Sequence, residues 1–120
     1  MKEVRFFENE VGESELWNHL EMLRLSSVSN KDHRIQYNQI MFYIELLQNR
    51  GTNLPNTIVR HIEDDIYELR PGVNRVIFFY FKENVYVLLH IFRKSSQKTP
   101  FNEIAKARKR RDMYLKKERK

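Results

Sequence analysis

The run Ile66-Tyr67-Glu68-Leu69-Arg70 is followed, after Pro71-Gly72-Val73-Asn74, by Arg75, and the next strand-like stretch closes on His90, Arg93, Lys94 and Lys98. One carboxylate, one imidazole and several permanent cations form a set that can hold and break a phosphodiester. Arginine's planar fork grips two phosphate oxygens at once. RNA supplies its own nucleophile, the 2′-OH. A base takes that proton, cations meet the charge that develops on phosphorus, and an acid protonates the leaving 5′ oxygen. Glu68, Arg70, Arg75, Lys94 and Lys98 are therefore the candidate reacting residues, and the substrate they suit is a polyanion such as RNA.

Metal and thiol chemistry have little to start from. There is no cysteine, and the four histidines, His19, His33, His61 and His90, are scattered without ligand spacing. The acids Glu63-Asp64-Asp65 adjoin a strand start, and three in a row cannot all face one point. The expectation is a site without metal or other cofactor.

Elements must bring these residues together. EVRFFE at residues 3–8 reads as a short strand, and Ser14 as the cap of a helix over 15–26 with Leu16, Leu20, Met22 and Leu23 on its inner face. A second helix over 31–49 would bury Ile35, Ile40, Phe42, Tyr43, Leu46 and Leu47, and end at Gly51 as a left-handed cap. Strands are predicted over 59–62, 66–70, 74–81 and 85–93. The last two are apolar at both parities, which makes them central and covered on both faces. A basic helix starts near Thr99-Pro100, with Phe101, Ile104, Ala105, Ala107, Tyr114 and Leu115 as a thin apolar stripe. The fold class is α+β: an N-terminal strand and helical hairpin packed on a small, mainly antiparallel twisted sheet, with a C-terminal basic helix, all in one domain over 1–120.

Side chains alternate across a sheet, so parity decides which groups meet. A two-residue hairpin at Glu83-Asn84 sets Arg75 opposite Phe92, and Glu68, Arg70, Arg75, His90 and Lys94 then share one face. A three-residue loop would substitute Ile91 and Arg93. Glu68 with Arg70 also reads as a plain sheet-edge ion pair. His90, inside VLLHIF, reads first as a hydrogen-bonded core histidine. Phe78, Phe79, Tyr80 and Phe81 read as core, with Tyr67 and Phe101 the better stacking candidates.

The chain has 120 residues, 41% hydrophobic and 32% charged, which suits a globular protein. Its net charge of +6 is uneven: residues 105–120 carry nine bases and two acids, net +7, so the remainder sits at −1. Lys106, Arg108, Lys109, Arg110 and Arg111, with Arg93, are the candidate RNA-binding cations; a merely solvated face is the other reading. Charges in MKEVRFFENE occupy the place of a signal peptide's apolar stretch, so a cytoplasmic protein is expected.

Taken in order, Leu54-Pro55, Ile66-Tyr67-Glu68-Leu69-Arg70, Arg75, Leu89-His90-Ile91-Phe92-Arg93-Lys94, Gln97-Lys98-Thr99-Pro100 and Glu103-Ile104 with Ala107 resemble the phage-derived HigB-like toxins of the RelE/ParE superfamily. The resemblance covers about residues 54–115. It implies a compact RelE-like fold, akin to microbial ribonucleases, and a ribosome-dependent mRNA endoribonuclease (an mRNA interferase) of a toxin–antitoxin system. It also implies a helix-turn-helix, HigA-like antitoxin as partner. Under it, Arg75 matches the arginine that contacts the scissile phosphate, Glu68 and Arg70 match functional positions of the preceding strand, and Lys94 and Lys98 match the basic loop before the last helix. A ParE-type gyrase inhibitor and an RNA-binding module without nuclease activity remain open beside it.

Overall fold

The structure, a computed structural model, describes residues 1–119. Lys120, one of the nine C-terminal bases, lies outside the described residues. The elements run β1 (Glu3–Phe6), α1 (Glu15–Ser26), α2 (Lys31–Arg50), β2 (Val59–Glu63), β3 (Ile66–Leu69), β4 (Asn74–Lys82), β5 (Val85–Arg93) and α3 (Phe101–Glu118). The strands form one mixed sheet in the order β1-β5-β4-β3-β2, with β1 parallel to β5 and every other pair antiparallel. The α+β class and the order of elements are as the sequence predicts. No helix among the described residues is long and apolar enough to cross a membrane.

Local chemistry sets the helix ends. The Ser14 hydroxyl accepts the N–H of Trp17 at 3.0 Å, and Asn30 Oδ1 accepts that of His33 at 3.0 Å, so each helix begins on a side-chain cap. Gly51, at φ +61°, closes α2 with its N–H on the Leu47 carbonyl at 2.8 Å.

Each face of the sheet has its own core. α1 and α2 cover Leu69, Val76, Phe78, Tyr86 and Leu88, to which they bring Leu16, Leu20, Leu23, Ile40, Ile44 and Leu47. α3 covers Ile66, Ile77, Phe79, Val87 and Leu89 with Ala107, Tyr114 and Leu115. The hairpin's inner faces differ from the predicted stripes. Met22, Ile35 and Phe42 are exposed, and Gln36 and Ile44 are buried in their place. The inward face of α2 is Gln36, Ile40, Ile44 and Leu47, spaced 4, 4 and 3, and Gln36 belongs there because both ends of its amide are used. Its Nε2 donates to Asp32 at 2.7 Å, and its Oε1 accepts from Asn74 Nδ2 at 3.1 Å. Tyr80 is exposed rather than core, and Phe101, at 75% exposure, stands outside the stripe of α3.

The β4–β5 ladder has two bulges. Arg75 pairs with Phe92 and Ile77 with His90, but Phe78 pairs with Leu88, so Leu89 is extra on β5. Nearer the turn, Tyr80 pairs with Tyr86 and Lys82 with Val85, so Phe81 is extra on β4. The two cancel. The register at Arg75 is that of a plain two-residue hairpin, while Leu88 and Leu89 serve opposite cores.

Candidate functional site

The α3-facing side of the sheet is apolar at one end and polar at the other. Arg60, Glu68, Ile77 and His90 make one row across β2, β3, β4 and β5. The next row continues the ladder past Leu69–Val76 to Arg70, then Arg75 and Phe92. Glu68, Arg70, Arg75 and His90 do share a face. Arg60, which stands on it too, was missed by sequence reasoning; strand alternation opposite Glu68 could have found it. Arg93 pairs with Asn74, which bonds to α2, so it belongs to the opposite face from Arg75.

Arg75 is held tightly. Its Nη1 donates to the carbonyls of Gly72 at 2.9 Å and Asn74 at 2.8 Å. The turn beneath it is closed by the Asn74 N–H on the Pro71 carbonyl at 3.1 Å, and the N–H of Lys94 reaches the Val73 carbonyl at 2.9 Å. Asn74 is fixed in turn by Gln36. The other end of the guanidinium has no hydrogen bond among the described residues. Burial first, and then the like charge of Arg70, push Arg75 below its ordinary pKa, while the charge of Glu68 opposes them. Arg70 is half-buried and, among the described residues, its side chain reaches only Gln97 Oε1, at 3.3 Å. That bond joins Gln97, of the exposed 94–98 segment, to Arg70.

Glu68 was expected among the reacting groups, but it is 1% exposed. Thr99 Oγ1 donates to its Oε2 at 2.7 Å and covers it, and its Oε1 has no partner among the described residues. Its charge is felt at Arg75, whose pKa it raises against burial and Arg70. His90 is buried as the core reading has it, with Nε2 on Glu103 Oε1 at 2.9 Å and Nδ1 unpartnered among the described residues. Burial lowers its pKa; the Glu103 carboxylate opposes this, and Arg110 and Lys106 add to it. Thr99 and Glu103 thus fasten the start of α3 over the polar end of the sheet.

The cations of α3 divide in two. Arg108 Nη2 bonds Glu63 at 2.7 Å, Arg111 Nη1 bonds Asp65 at 2.7 Å, and Arg110 bonds Glu15 at 3.1 Å and the Leu89 carbonyl at 2.9 Å. These three guanidinia are matched inside the fold and tie the helix down, so the basic surface is narrower than a count of bases suggests. Lys106 and Lys109 are exposed, as is Arg93. Glu63 and Asp65, the outer members of the acidic run, serve the arginines, and no group of three potential metal ligands occurs among the described residues. Tyr67 stacks on Phe78 in the larger core, which leaves Phe101 as the exposed aromatic of the two stacking candidates.

A pocket of about 440 Å³ opens beside the arginine pair, lined by Asn56, Thr57, Arg60, Arg70, Arg75 and Gln97. None of its three arginines has an ion pair among the described residues. The charge of Arg70 opposes that of Arg75 there, and an anion would relieve this.

Comparison with curated proteins finds no match to this chain. Residues 27–112, from the end of α1 through most of α3, match a family described as phage derived protein Gp49-like, which is associated with RelE/ParE-type toxins. The match spans every residue of the arginine pocket and most of the chain, and the protein belongs to this Gp49-like, phage-derived family.

Proposed function

We propose that the chain is the toxin of a toxin–antitoxin pair, a cytoplasmic HigB-like enzyme of one domain that cuts mRNA on the ribosome without metal. The observation that carries this is the pairing of Arg70 and Arg75 at an acid-free pocket beside the Lys94–Lys98 segment. The two arginines would hold the scissile phosphate. The 2′-OH attacks phosphorus, the P–O5′ bond breaks, a base takes the 2′ proton, and an acid returns one to the 5′ oxygen. The ends are a 2′,3′-cyclic phosphate and a 5′-OH. Lys94 and Lys98 add charge and a proton donor from the exposed side of the site, while Glu68 steadies Arg75. The expected partner is a helix-turn-helix antitoxin that keeps the basic face from the ribosome.

The test is a translation reaction with the purified chain, a chelator, and a message carrying one deoxynucleotide at the mapped cut. Cutting is expected to survive the chelator and to stop at the deoxy position. Inhibition of gyrase without any cut message would replace this reading with the ParE-type one.

A further inference from the structure

We propose that the arginine pocket is a one-nucleotide subsite in which Asn56 and Thr57 read the base, so that they set the nucleotide preference of the cut. This rests on the nuclease reading and goes beyond it. Its volume of about 440 Å³ falls within the roughly 300–1,000 Å³ typical of small-molecule sites. The lining is of two kinds. Arg60, Arg70 and Arg75 suit a phosphate; Asn56, Thr57 and Gln97 are uncharged and suit a base edge, but Gln97 Oε1 already accepts from Arg70. Neither Asn56 nor Thr57 makes a side-chain hydrogen bond among the described residues, and both are exposed. An asparagine presents a donor and an acceptor side by side, the pattern that pairs with two atoms of one base.

The platform under them is rigid, as base recognition requires. The Pro55 carbonyl accepts the N–H of Ile58 at 2.8 Å and of Val59 at 3.0 Å, which pins the turn that carries both side chains. The Ile58 carbonyl then accepts the N–H of Arg70 at 3.0 Å. The base-reading turn and the phosphate-holding arginine are thereby joined through one backbone bond. Arg60, one residue into β2 and opposite Glu68, stands between them on the same face. A free phosphate would need the arginines alone; the neutral pair beside them argues for a whole nucleotide.

The experiment compares the wild-type chain with an Asn56→Ala/Thr57→Ala variant by two readouts. In the first, cut positions are mapped over many translated messages. The wild type is expected to prefer certain nucleotides at the cut, and the variant, at whatever total rate it cuts, to show that preference weakened about tenfold, the order of one base contact. In the second, both proteins are titrated with the four nucleoside 3′-monophosphates and with inorganic phosphate. Wild type should rank the four and bind the best of them at least tenfold tighter than phosphate; the variant should bind all four alike. An unchanged cut pattern in an active variant overturns the inference and leaves the nuclease reading standing. Absence of any cutting by wild type defeats the nuclease reading, and the titration then decides the pocket on its own: ranked binding that the variant loses supports it, and equal binding of nucleotides and phosphate overturns it.

Discussion

Arg75 is the residue on which the proposed chemistry turns, and its burial changes how it should be tested. It fills no apolar cavity, but two backbone carbonyls take their hydrogen bonds from it. Arg75→Ala would leave both without that donor and cost about 1–3 kcal/mol of stability as well as activity. Arg70→Ala is the cleaner probe, because Arg70 is half-buried with one long hydrogen bond. It should lower the rate of message cleavage about 100-fold and leave the denaturant midpoint within error of wild type. A variant that cuts at the wild-type rate would remove Arg70 from the site. His90 gives the second prediction at this scale. Burial lowers its pKa against the pull of Glu103, so the folded chain binds its proton at lower pH than the unfolded chain does. Well above the unfolded histidine's pKa of about 6.5 neither form is protonated and the group contributes nothing. Below about pH 6.5 the unfolded state binds more protons, and stability falls as pH drops. His19, also lowered by burial, acts in the same direction. The denaturant midpoint should therefore fall between pH 7.5 and 5.5, and His90→Gln should flatten that slope; an equal slope in the variant would show that His90 is not its source.

At the scale of elements, α3 has two jobs that its residues share out. Arg108, Arg110 and Arg111 tie it to β2, α1 and the β2–β3 turn, while Lys106 and Lys109 face outward. Arg111→Ala should cost about 1–2 kcal/mol in chemical unfolding, because its partly buried bond to Asp65 is charge-assisted. Lys106→Ala with Lys109→Ala should leave stability within about 0.5 kcal/mol. In RNA binding the roles should reverse. Removing the lysine pair should make log K fall less steeply with log salt, by about 0.7 for each single-strand phosphate the two lysines neutralise, and Arg111→Ala should barely move that slope. Equal slopes for all three proteins would place the RNA elsewhere.

Across the whole molecule, the legible part of the fold was the part written in periodicity. Strand runs, helix caps at Ser14 and Gly51, and the covered central pair β4–β5 follow from local chemistry. The shared face of Glu68, Arg70 and Arg75 follows from parity, and it holds at Arg75 because two bulges offset each other. The bulges themselves are invisible in the sequence, since VYVLLHIF is apolar at almost every position and carries no mark of which leucine is extra. The burial of Gln36 is hidden for a related reason. Its partners, Asp32 one turn away and Asn74 on β4, are revealed only by packing. The charge of α3 misleads in the opposite sense: a count of bases cannot see that Glu15, Glu63 and Asp65 lie within reach of three of them. Glu68 reads as a reacting group because its type and spacing fit, and only the three-dimensional structure brings Thr99 over it.

Gly72 has a consequence for genetics. It sits at φ +61° in the turn below Arg75, and a side chain there would meet the Gln39 amide, with Cδ at 3.0 Å. The amide end of Gln39 can swing away, so the clash is tolerable; the left-handed backbone is the lasting cost, about 1–2 kcal/mol. A chain with Gly72→Ala or Gly72→Val should therefore still fold, yet carry the carbonyl that holds Arg75 in a different direction. If induction of this gene stops growth, the colonies that survive should be enriched in such lesions. Nonsense changes would be common among them, but missense survivors producing full-length protein should fall at Gly72 as well as at the arginines. A survivor screen filtered for intact protein would read out the turn as a loss-of-function locus, although residue 72 has no side chain with which to do chemistry.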